Sequence, residues 1–263
     1  MKNGFLIFLA SLVVLGGSWC GFVLAPVLQL GGEKQTTILN SSDLYPLGRP
    51  GEANQGLQAY RADGCAACHT EQVQQEGVAC NVVLTDAGKT PVAVTNAISS
   101  LKLNAIDKVS ADATVDGITA AGGKAEIHII ATGPDIARGW GRRHSVAEDF
   151  LFDNPVQLGS IRIGPDLADV GARLPDANWQ LLHLYTPQSV VKGSAMPPFR
   201  YLFQIQKKKI GRGPSPDALN LPNGFAPPSG YEVVPTPKAR ELVAYLLSLR
   251  ADVPLRDAPF TSR

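Results

Sequence analysis

Residues 65–69 read Cys-Ala-Ala-Cys-His. Two thiols three positions apart, followed at once by an imidazole, form the attachment pattern of c-type haem. Cys65 and Cys68 can add across the two vinyl groups of the macrocycle. His69 can then ligate the iron as its proximal base. The rival chemistries fit less well. A dithiol redox pair has no use for the adjacent His, and a zinc site needs a second pair of ligands. The other cysteines, Cys20 and Cys80, are not spaced as one.

A haem held in this way commonly takes a second axial ligand. The chain has two Met, and the first is Met1. Met196 is therefore the internal thioether, in Ser194-Ala-Met-Pro-Pro-Phe199. The Pro after it disfavours helix and points to an extended loop. A gap-filling core role is the alternative, and a lone Met beside two Pro suits it poorly. His128, His144 and His183 are the other candidates. His183 lies in an apolar helical stretch and reads as a structural His. His/Met ligation raises the potential relative to His/His and closes both axial positions, which favours electron transfer over catalysis.

The elements that must position this group begin with an uncharged run from Asn3 to Gly32. Its apolar part, Phe5 to Leu30, is about 39 Å long as a helix, more than the roughly 30 Å hydrocarbon core of a bilayer. It is too long for the apolar region of a signal peptide, and Trp19 before Cys20 argues against lipidation of that Cys. The expectation is one retained membrane helix. Covalent haem attachment in bacteria takes place outside the inner membrane, so the rest of the chain is expected in the periplasm. Cys80 is then the only free thiol of the soluble part, and no disulfide framework is expected. The net charge of +1 gives no case for nucleic acid. Lys207-Lys208-Lys209 is the longest basic run. It reads either as a docking site for an acidic partner or lipid headgroups, or as a solvated turn.

Residues 33–50 read as a linker. Residues 51–64 read as a short helix with Leu57, Tyr60 and Gly64 on one face. Residues 76–136 lack aromatics and suggest a β-rich insertion, with strands at 81–84, 91–95 and 126–132. Ser145–Glu148 has capping-box form. Pro175 and Asp176 open a helix carrying Trp179 and Leu182, and Pro187 ends it. Residues 211–237 read as loop. Thr236-Pro237 then caps a last helix whose Leu242, Tyr245, Leu246 and Leu249 share a face. That helix is expected to cross the first one, with Gly56 or Gly64 allowing close approach. Residues 251–263 read as a surface tail. In Gly164-Pro165-Asp166 the Pro165 carbonyl is a candidate acceptor for the second nitrogen of His69. Arg162, Arg173 and Trp179 are candidate donors to haem propionates.

Taken together, Tyr60-x-x-x-Gly64-Cys-x-x-Cys-His69, Arg162-x-Gly-Pro-Asp-Leu167, Gly171-x-Arg173, Trp179, His183-Leu-Tyr185, Pro187 and Ser194-x-Met-Pro197 resemble subunit II of cbb3-type cytochrome c oxidases. Val146-Ala-x-Asp149-Phe-Leu-x-Asp153-x-Pro155 with Leu158-Gly159 fits the same family. The resemblance covers residues 51–75 and about 138–205; residues 76–136 depart from it. With the reading of the residues above, the expectation is a mainly α fold: a cytochrome c-like haem domain (51–75 and 137–250), an N-terminal transmembrane anchor (1–32), a linker (33–50), a small β-rich inserted module (76–136) and a tail (251–263). The resemblance implies one covalent haem c with His69 and Met196 on the iron. The chain would be a non-catalytic relay, with a haem-copper catalytic subunit and a di-haem or soluble cytochrome c donor as partners, beside the lipid bilayer. A free-standing tethered cytochrome and the cytochrome subunit of a nitric oxide reductase are the alternatives.

Overall fold

The N-terminal run forms one continuous helical rod. It comprises α1 (Gly4–Trp19), a π-helical turn (Cys20–Leu24) and α2 (Ala25–Leu30). The structure, a computed structural model, describes residues 3–89, 91–99, 103–209, 211 and 213–260. Within the 26 residues Gly4–Gln29 an 18-residue window reaches a mean hydropathy of 2.1, and none of that window is buried. Phe22, for example, is 82% exposed. A helix apolar on all sides with no protein partner is long and apolar enough to span a bilayer.

The next segment, expected as a linker, is an ordered strap. β1 (Thr36–Thr37) pairs antiparallel with β2 (Leu44–Tyr45). Tyr45 is buried, and its hydroxyl donates to Asp149 at 2.7 Å. Leu39 N–H donates to the Pro254 carbonyl at 2.9 Å, so strap and C-terminal segment hold each other. Residues 251–260 are therefore no surface tail: Leu255, Ala258 and Phe260 are buried. Arg143 joins the two, with its guanidinium donating to Val253 O at 2.7 Å and to both oxygens of Asp149 at 2.9 and 2.7 Å. Sequence periodicity misses such packing because the chain here is neither helix nor long strand.

α3 (Gly51–Ala62) carries Glu52 in its first turn and Arg61 in its last, both favourable for the helix dipole. It stops at Gly64, whose φ of 72° is left-handed. The inserted segment is α/β rather than β-rich. β3 (Gly77–Asp86) leads to α4 (Pro91–Ser99) and α5 (Lys108–Ala120), and β4 (Lys124–Thr132) returns antiparallel to β3, from Gly77↔Thr132 to Asp86↔Lys124. The stretch read as a strand at 91–95 is helical. Pro91 suits a first helical position, and of its alternating valines Val94 is buried while Val92 is 72% exposed. α5 was not anticipated. Asp107 caps it by accepting from Ser110 N at 2.9 Å, and Ala111, Thr114 and Ile118 form its buried face. Cys80, Val82, Val94, Ile106, Ala111 and Ile118 make a core separate from the main one.

After α6 (Pro134–Ala137), a 3₁₀ turn at Ala147–Phe150 replaces the expected capping box at 145–148. Ser145 Oγ instead accepts from Val73 N, and Asp149 accepts from Val146 N at 2.9 Å. α7 (Val170–Arg173), α8 (Ala177–Tyr185) and α9 (Pro187–Val190) follow, with Asp176 capping α8. β5 (Phe203–Lys207) pairs antiparallel with β6 (Tyr231–Pro235), a strand inside the stretch read as loop. α10 (Pro237–Ser248) begins where expected, with Thr236 Oγ1 accepting from Ala239 N. About 40% of the chain is helix, and the sheets are small.

α3 and α10 pack at Gly56, where a Cβ would overlap the Glu241 carbonyl and lie 2.7 Å from Tyr245 Cβ. Gly64 makes no such approach; its role is the left-handed turn. Tyr60 and Tyr245 meet beside the crossing at 5.2 Å between ring centres. Around this pair the main core gathers Leu57, Leu167, Leu184, Leu202, Val233 and Leu242.

Candidate functional site

Gly64 turns the chain out of α3 and into a 3₁₀ turn at Cys65–Ala67. Cys68 N and His69 N donate to the Cys65 carbonyl at 3.1 and 3.0 Å. Both thiols and the imidazole thus leave one tight turn. The loop after Leu158 wraps it: Ser160 N donates to Ala66 O, and Ile163 N and Gly164 N donate to Cys68 O, at 2.9–3.0 Å. Gly164 lies flat against the His69 ring, where any Cβ would overlap the ring atoms. Gly159, at φ 84°, passes the His69 carbonyl equally closely.

The His69 ring is held by one bond. Its Nδ1–H donates to the Pro165 carbonyl at 2.8 Å. A carbonyl only accepts, so the proton sits on Nδ1 and the lone pair on Nε2, as a metal-ligating imidazole requires. Burial pushes the His69 pKa below its ordinary value, against the opposing pull of the Pro165 carbonyl and Asp166. The ring is neutral at pH 7. Asp166, fully buried, accepts from Gln72 N at 2.8 Å and Ala168 N at 2.9 Å, as well as from Thr70 Oγ1. It fastens the Pro165 loop to the segment after His69. Sequence reading missed Asp166 and the two glycines, although Gly164 and Asp166 flank Pro165 in the motif.

Cys65, His69, Pro165, Arg173, Trp179 and Met196 line one cavity, together with Tyr60 and His183 and with Leu242 and Leu246 of α10. Met196 is half-buried against the main core. Cys68 presents its backbone to the Pro165 loop and is half-buried. Arg162 is engaged elsewhere. Its guanidinium pairs with Asp135 at 2.8 Å, donates to Thr70 Oγ1 at 3.0 Å and to Gln72 O, and lies over the Trp140 ring. The expected propionate donor is thus a brace between α6 and the segment after His69. Of the His residues weighed for the iron, His128 sits on β4 beside Glu126 and His144 contacts Gln75 at 3.1 Å. His183 stacks on Trp179, with 4.9 Å between ring centres and an 8° tilt. Burial pushes its pKa down to about 4, with His69 adding a smaller effect.

Three buried groups on this cavity, Tyr60 Oη, Arg173 Nε and His183 Nδ1, have no hydrogen-bond partner among the described residues. Such groups are costly unless something meets them. An apolar wall carrying unpaired polar groups, an imidazole, a thioether and the Cys65 thiol, with Cys68 in the same turn, has the donor chemistry of a haem site. Cys20 lies in the anchor helix and Cys80 in the core of the inserted module. Neither approaches Cys65 and Cys68 to complete a zinc site. A larger cavity of about 900 Å³ lies between the strap and the C-terminal end of α10, lined in part by Tyr45, Glu71 and Asp153 and by none of the Cys, His or Met residues.

Residues 131–212 match the family described as cytochrome C oxidase, mono-heme subunit/FixO. This match supports the likeness to subunit II of cbb3-type oxidases. No curated protein matches the chain.

Proposed function

We propose that the chain is the mono-haem electron-relay subunit of a cbb3-type haem-copper oxidase. It would carry one haem c attached through Cys65 and Cys68, with His69 and Met196 as axial ligands. The observation that carries this reading is the single cavity shared by Cys65, His69 and Met196, with His69 Nδ1 fixed on Pro165. The match over residues 131–212, which includes Pro165, Arg173, Trp179 and Met196, supports it independently.

Haem supplies a one-electron couple whose potential depends on its axial ligands and surroundings. The chain's residues do the rest. Pro165 and Gly164 fix the orientation of the His69 ring. Met196 would supply a thioether, a ligand that favours the reduced state and electron transfer over substrate binding. Arg173 and Trp179, on the cavity wall, would receive the carboxylates. α3, α7, α8 and α10 exclude water from the slot. The helix Gly4–Gln29 holds the domain at the outer face of the bacterial inner membrane, beside a catalytic subunit that reduces oxygen. A di-haem or soluble cytochrome c supplies the electrons.

Replacing Met196 with Ala tests the ligation. The ferric near-infrared band of thioether coordination should vanish and the potential should fall. An unchanged spectrum and potential would remove Met196 from the iron. Mild detergent extraction tests the assembly, since an oxidase subunit should co-purify with a large haem- and copper-containing partner. Recovery alone would favour a free-standing tethered cytochrome.

A further inference from the structure

His183 is the second imidazole in the wall of the cavity. Its ring is held face to face on Trp179, four residues earlier on α8. Nδ1 is buried and has no partner among the described residues. An unmet buried polar atom is costly, so its placement asks for a counterpart within the slot. A haem offers two kinds, its carboxylates and its iron.

Two observations select the iron. Arg173 is already a donor for a carboxylate on this cavity, with Nε unpaired and Nη2 tied to the Asp166 carbonyl at 2.9 Å beside Pro165. His183 is placed with the thioether instead. The loop bearing Met196 is fastened to α8 at the residue after His183, where Phe199 N–H donates to the Leu184 carbonyl at 2.8 Å. Thioether and imidazole therefore sit on adjoining parts of the wall, while His69 is held by the Pro165 loop. An imidazole nitrogen is among the commonest metal ligands.

We propose that His183 is a reserve axial ligand, which takes the iron when the Met196 thioether is withdrawn. The step is a ligand exchange with no electron transfer: one Fe–S bond breaks and one Fe–N bond forms. The iron stays six-coordinate and closed to small molecules, at a lower potential. The inference rests on the His69/Met196 reading above and adds a second state to that site.

The test uses full-length holoprotein in detergent with three variants: Met196→Ala, His183→Phe and the double variant. Phe keeps a ring stacked on Trp179, so folding is preserved. His183→Phe alone should retain the thioether band. Met196→Ala should be low-spin and six-coordinate. Its ferrous form should bind carbon monoxide at least about tenfold more weakly than the double variant, because only the fraction with His183 off the iron is competent. The double variant should be high-spin, and added imidazole should return it to low spin. Equal carbon monoxide affinity and equal high-spin spectra for Met196→Ala and the double variant would overturn the reserve role while leaving Met196 ligation intact. A parent protein without the thioether band, altered by His183→Phe alone, would overturn both.

Discussion

At the scale of single residues, the candidate site depends on groups that are not among the proposed ligands. Pro165 contributes a carbonyl, Gly164 contributes the absence of a Cβ, and Asp166 holds their loop. Asp169, on the same loop, is buried and accepts from Ala251 N at 3.0 Å. Burial, with a smaller contribution from Asp252, pushes its pKa up to about 6. The unfolded carboxyl titrates near 4. Between these values the folded protein binds more protons than the unfolded chain, so Asp169 makes stability fall as pH rises from about 4 to about 6 and adds no slope above that. Asp169→Asn keeps an acceptor for Ala251 N and cannot ionise. Its denaturation midpoint, followed from pH 4 to 7, should decline less steeply than that of the parent protein. Parallel curves would show that Asp169 is not held up in the folded state.

At the scale of elements, the crossing of α3 and α10 fixes where the Cys65–His69 turn emerges. Two glycines, Gly56 in the middle of α3 and Gly64 just past its end, do different work. Gly56 lets the helices touch, and a methyl group there meets the Glu241 carbonyl and Tyr245 Cβ, both part of α10. Overpacking of this kind costs about 1–3 kcal/mol, or more where the neighbour is backbone. Gly64 has open space around it and a φ of 72°. Ala there costs about 1–2 kcal/mol of left-handed strain. Gly56→Ala should therefore lower the unfolding midpoint more than Gly64→Ala and should also reduce haem incorporation. The reverse order in thermal melts would mean that the helices separate easily.

At the scale of the whole molecule, residues 77–132 form a unit with its own core whose ends meet. Glu76 N donates to Thr132 O at 2.9 Å, and a Cβ on Gly133 would lie 2.9 Å from Glu76 N. Joining Glu76 to Gly133 closes the gap left by excision. Insertions that leave and re-enter at one point are the kind most readily removed. The shortened protein should keep its haem and an unchanged optical spectrum. Loss of haem on excision would show that the module supports the site. The strap and the C-terminal segment are the opposite case: Arg143, Asp149 and Tyr45 tie both to the main body through buried bonds.

The sequence alone carried the Cys65–His69 pattern on which the haem proposal rests, the long apolar helix and the starts of α3, α8 and α10. Each is a local signal: a covalent pattern, a hydropathy run, or a cap and a Pro at fixed offsets. The likeness carried by residues from Arg162 to Pro197 was legible for the same reason, since it is an ordered string. The tertiary structure decided what depends on distant partners. It set Arg162 against Asp135 rather than in the cavity, turned residues 91–95 into helix, packed the last residues against the strap and brought His183 beside the Met196 loop. A guanidinium, a valine pair or an imidazole has no preferred neighbour in sequence. Its partner is chosen by what the folded backbone brings within a few ångströms.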